Sequence, residues 1–83
     1  MSEIVRIGRS ERTSSEILSD LDAGRRVIIE VELLGRTMEL SIRKRESTYY
    51  CDTPMKLMTY ENREGMRTCL ERYRLAKRGG RGS

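Results

Sequence analysis

The sequence predicts a two-layer α+β fold: an antiparallel meander sheet of three to four strands, packed on one face by two helices in the order β-α-β-β-β-α. Three observations carry this. Arg26 to Leu34 is an alternating, β-branched run. Thr13 and Glu16 have the spacing of a capping box ahead of a helical pattern. Met66, Cys69, Leu70 and Tyr73 recur at i, i+3, i+4 and i+7, the stripe of a core-facing helix. At 83 residues there is room for one core, assigned to residues 1–78.

Ile4, Val5 and Ile7, ended by Gly8, suit a short first strand, at an edge of the sheet. The capping box opens a helix over residues 14–23, with Ile17, Leu18 and Leu21 at helical spacing and Gly24 as the residue past its end. In the next strand Val27, Ile29, Val31 and Leu33 share one face, and Ile28, Glu30, Glu32 and Leu34 the other. Gly35 marks a turn into a partner strand, where Met38, Leu40 and Ile42 alternate with Thr37, Glu39, Ser41 and Arg43. Thr48 to Asp52 form a third meander strand, stopped by Thr53 and Pro54, because proline has no amide donor for a ladder. Met55 to Tyr60 read as a further short strand or an ordered loop. Asn62 caps the last helix, which the periodicity runs to Lys77, and Gly79 to Ser83 read as a mobile tail.

The chain carries 17 lysines and arginines against 13 acids, and their distribution is uneven. Residues 1–62 hold 10 basic and 11 acidic side chains, whereas residues 63–83 hold 7 basic and 2 acidic ones. Positive charge is therefore a property of the C-terminal quarter. On a continued helix Arg63, Arg67, Arg74 and Arg78 fall within a sector of about 60° along about 22 Å of axis. Such a row, extended by Lys77 and by Arg81 of the tail, suits phosphate, since guanidinium stays charged and binds phosphate oxygens in a fork. The bland alternative is a solvated helix face in which Glu64 and Glu71 pair with Arg67 or Arg74. Arg25 with Arg26, and Lys44 with Arg45, either extend a basic rim or are ordinary turn charges. Of the adjacent Tyr49 and Tyr50, one faces the core and the other outward, where it packs across the sheet or stacks on a base.

Catalysis is not expected. With no histidine and only Cys51 and Cys69, the usual zinc sets and Ser/His or Cys/His pairs are ruled out, and the cysteines read as buried thiols. No motif implies a cofactor, a metal or a small-molecule substrate. The longest aliphatic run, Val27 to Ile29, is far short of the roughly 20 apolar residues of a membrane-spanning helix. Ser2, Glu3 and Arg6 interrupt any secretory leader, so a cytoplasmic protein with no membrane contact is expected.

The segment Tyr49 to Leu75, YYCDTPMKLMTYENREGMRTCLERYRL, resembles that of short archaeal proteins, mainly from halophiles, that have no assigned function. The likeness covers about a third of the chain, lies in the YYCDTP run and its spacing to Cys69, and carries no functional residues across. It implies an archaeal cytosolic protein. Two functions remain in view. One is a small nucleic-acid-binding protein contacting DNA or RNA through Arg63, Arg67, Arg74, Lys77, Arg78 and Arg81. The other is a protein-interaction or regulatory module, a homodimer or an inhibitor docking on an acidic partner, drawn from Ile28 and Leu34 on the sheet face away from the helices.

Overall fold

The computed structural model describes residues 3–77, apart from the Leu33 side chain; Arg78, Arg81 and the expected tail Gly79 to Ser83 fall outside the described residues. The order is β1 (Ile4–Gly8), α1 (Ser14–Asp22), β2 (Arg26–Leu33), β3 (Arg36–Arg45), β4 (Thr48–Asp52), β5 (Leu57–Tyr60) and α2 (Arg63–Arg72). The five strands form one sheet in sequence order. The α+β class and two helices agree with expectation, but Leu57–Tyr60 pairs with β4 and makes a fifth strand. The meander β2 to β5 is antiparallel. β1 runs parallel to β2, Ile7 beside Ile29, because α1 carries the chain back across the sheet between them.

Alternation sorts the side chains as the sequence requires. Ile7, Val27, Ile29, Val31, Leu40, Ile42, Tyr49 and Cys51 are buried in one core with Ile17, Leu18 and Leu21 of α1 and Met66, Cys69 and Leu70 of α2. Both helices thus cover the same face, and the overall extents of 36 × 32 × 21 Å have the thin dimension of one sheet layer and one helix layer. The opposite face carries Arg6, Ile28, Glu30, Glu39, Ser41, Arg43 and Tyr50 and is not covered by either helix. No helix among the described residues is long and apolar enough to cross a membrane.

The capping box forms as its spacing predicts: the Thr13 hydroxyl accepts from the Glu16 amide at 3.2 Å, and the Glu16 carboxylate accepts from the Thr13 amide at 2.9 Å. That contact with the Thr13 amide, helped by Arg12 and Lys77, holds the Glu16 carboxyl below its ordinary range. At the other end Gly24, with φ +88°, closes a Schellman turn in which the Gly24 amide donates to Leu21 O and the Arg25 amide to Asp20 O, both at 3.0 Å.

Two expectations fail at turns. Leu34 does not lie on the open sheet face. It occupies the β2–β3 turn with Gly35, both at positive φ, as a two-residue hairpin loop demands, and it is 95% exposed. The second helix stops at Arg72 rather than Lys77. Continued as a helix, Leu75 would point nearly opposite to Met66, away from the core. A second Schellman turn brings it inward instead: the Leu75 amide donates to Leu70 O at 2.9 Å and the Arg74 amide to Glu71 O at 3.2 Å. Leu75 and Ala76 are buried, while Tyr73, expected in the core stripe, caps the helix and is 44% exposed.

Candidate nucleic-acid interface

Early termination of α2 dismantles the expected arginine row. Arg63 and Arg67 remain on the helix, Arg74 lies in the turn at φ +57°, Lys77 pairs with Thr13 in an isolated bridge, and Arg78 and Arg81 lie outside the described residues. Arg67 is half-buried. Arg63 is exposed but already paired within the chain: its Nε donates to Asp22 Oδ2 at 2.9 Å. The other Asp22 oxygen accepts from Tyr49 OH at 2.9 Å and Lys44 Nζ at 3.2 Å. Burial opposes ionisation of Asp22, but these bonds from Arg63, Tyr49 and Lys44 outweigh it and hold the carboxyl below its ordinary range. The cluster ties the end of α1 to β3, β4 and the start of α2.

In place of the row, the turn after α2 gathers cations at one pole. Segment 73–77 lies against loop 9–13, fixed by Ser10 N donating to Leu75 O at 3.0 Å, Ser10 Oγ to Arg74 O at 2.9 Å, and Lys77 N to Arg12 O. Arg9 reaches over the helix end, donating from Nη2 to Tyr73 O at 3.1 Å and from Nε to Arg74 O at 3.3 Å. Its charge offsets the negative end of the helix dipole. Arg72, Arg74 and Lys77 are exposed here, and none has a carboxylate within 4 Å among the described residues.

The acids nearby are engaged. Glu71 accepts from Ser14 Oγ at 3.0 Å instead of pairing with Arg67 or Arg74, and Asp20 accepts from Arg12 at 2.8 Å and Arg25 at 3.0 Å. Glu11 accepts from the Gly8 amide at 2.6 Å. Sequence periodicity overlooked Arg72, which falls on the far side of the helix from the row, and Arg9, which a loop brings in from 65 residues away. The signal for the first was Leu75, an apolar residue out of helical phase.

The rim residues divide. Arg25 and Lys44 are ion-paired, to Glu3 and Asp20 and to Asp22 respectively, whereas Arg26 and Arg45 stand on the open sheet face. Tyr49 faces the core and Tyr50 the open face, where the Arg43 guanidinium lies 5.2 Å from its ring centre. Cys51 and Cys69 are free, buried thiols. Their mutual interaction pushes Cys51 up and draws Cys69 down to about 6 against the cost of burial, with help from Tyr60. Among the described residues no group of three or more His, Cys, Asp or Glu side chains could hold a metal ion.

These features define a small two-layer α+β protein with a cationic pole built by a helix-terminating turn. The chain belongs to a family of unknown function, DUF8001, whose model matches residues 1–78. No curated protein and no solved structure matches it.

Proposed function

We propose that this is a small, non-catalytic nucleic-acid-binding protein, and that the contact is made by the pole where the turn after α2 meets the β1–α1 loop. One observation carries the reading. Among the described residues, Arg72, Arg74 and Lys77 are exposed within six residues of one another without a carboxylate within 4 Å, in the quarter of the chain with the fewest acids, whereas Arg6, Arg12, Arg25, Lys44 and Arg63 are ion-paired and the unpaired Arg26, Arg43 and Arg45 share the open sheet face with Glu30 and Glu39. In sequence Arg78 follows directly, and Arg81 after two glycines. Cations that are not neutralised internally can displace counterions from phosphates, the main source of affinity in contacts of low sequence preference. The likeness of Tyr49 to Leu75 to haloarchaeal proteins, and an archaeal cytoplasmic setting, belong to the same proposal.

Fluorescence anisotropy with a labelled duplex DNA of about 20 base pairs tests it. Arg72→Glu/Arg74→Glu/Lys77→Glu abolishes binding while circular dichroism shows a folded protein. Arg63→Ala, which removes only an internally paired cation, keeps the affinity. Binding that survives the triple variant, or that is lost instead with the open-face pair Arg43→Glu/Arg45→Glu, overturns the assignment.

A further inference from the structure

The sheet face away from the helices carries its charge as a gradient along the strands. Arg26, Arg43 and Arg45 stand at one end; Glu30, Glu32 and Glu39 stand at the other. Between them one cross-strand row holds Arg6, Ile28, Ser41, Asp52 and Leu57. Arg6 lies 2.8 Å from Glu39 and 3.3 Å from Glu30, so one guanidinium is shared between two of the three carboxylates. Gly8, Arg9, Glu30, Glu32 and Thr37 line an open depression there. From Arg43 to Glu39 is about 14 Å along β3, longer than the screening length of about 8 Å at physiological salt, so the two ends act as separate charges.

We infer that this face binds a second copy of the chain, related by a two-fold axis lying across the strands at the level of Ile28 and Ser41. Rotation about that axis reverses the strand direction, so the arginine end of each copy lies over the acidic depression of the other. The complementarity of the two ends is satisfied twice, as an isologous contact requires, while in the central row Arg6 and Asp52 each face their own counterpart. Ile28 then meets its own counterpart at the centre, and the half-exposed Ile4 and Leu57 lie at the two sheet edges. Five strands present roughly 24 × 20 Å, or about 1,000 Å² buried over both copies, at the low end for a specific interface. The dimer is therefore weak, micromolar and sensitive to salt. It does not use Arg72, Arg74 or Lys77, although Arg9 borders both regions, lining the depression and bonding the turn after α2.

Sedimentation equilibrium on nuclease-treated protein tests this, so that nucleic acid cannot bridge two copies. The expected result is twice the 9.7 kDa chain mass at about 200 µM in low salt, falling to the single mass in 0.5 M NaCl. Glu30→Lys/Glu32→Lys makes the acidic end predominantly basic, and Arg43→Glu/Arg45→Glu makes the basic end predominantly acidic. Each variant alone weakens self-association on the order of 100-fold, because like charges then oppose at both ends. Mixed in equal amounts, the two variants form a heterodimer. A wild type that stays monomeric in low salt, or variants that fail to associate on mixing although each is folded, overturns the inference.

Discussion

Gly24 and Arg74 hold the same place in two copies of one turn. Each is the first residue past its helix cap, each has positive φ, +88° and +57°, and each turn closes with the same pair of amide-to-carbonyl bonds. Glycine adopts this conformation without penalty, whereas a side chain there costs about 1 kcal/mol. The second helix thus ends with a cation at its least comfortable backbone position. Arg74→Gly is expected to raise stability by about 1 kcal/mol in urea unfolding while weakening DNA binding. Gly24→Ala loses a similar amount. A destabilised Arg74→Gly would mean that the turn is held by the arginine side chain.

Leu34 poses the same problem at the β2–β3 hairpin. It combines φ +54° with nearly full exposure, so it contributes little packing to offset the strain. Asparagine tolerates that conformation because its short side chain bonds locally. Leu34→Asn should stabilise the protein by roughly 0.5–1 kcal/mol, read as a higher urea midpoint at unchanged slope.

The Asp22 cluster makes stability depend on acid pH. A carboxyl whose pKa is lowered on folding stabilises the native state above its unfolded value, about 3.9, and loses that contribution as pH falls through the folded value. Glu16, lowered by the Thr13 amide, acts with the same sign. From Asp22 and Glu16, urea midpoints should fall as the pH drops below about 4. Tyr49→Phe should cost about 1 kcal/mol by removing the phenol donor, and Asp22→Ala more, since Arg63 and Lys44 also lose their acceptor.

Burial governs the thiols. Cys51 and Cys69 are 0% and 2% exposed, so neither should react with a thiol-specific disulfide reagent within minutes in the native protein. Both should react after guanidinium unfolding. Rapid native labelling at Cys69 would show that α2 opens locally.

Much of the core was legible in the sequence, because strand alternation and the Thr13–Glu16 box are local signals that packing reinforces. The parallel β1–β2 pair was implicit in a strand–helix–strand order, although the alternation of β1 is too short to reveal it. The end of α2 was not legible from the usual stop signal, since arginine rather than glycine takes the left-handed position and the first glycines come at Gly79 and Gly80. Helical phase misplaced Arg74 and Lys77 for that reason. Nor could sequence show that Arg63 is held by Asp22, a contact spanning 41 residues.

The salt dependence of duplex DNA binding tests the central claim most directly. If Arg72, Arg74, Lys77, Arg78 and Arg81 each neutralise one phosphate, log K falls against log salt with a slope of about −4.5. Neutralising the three pole residues, Arg72→Ala/Arg74→Ala/Lys77→Ala, should reduce that slope to about −2. A wild-type affinity that does not change with salt, or a slope unaltered in the triple variant, would contradict the account.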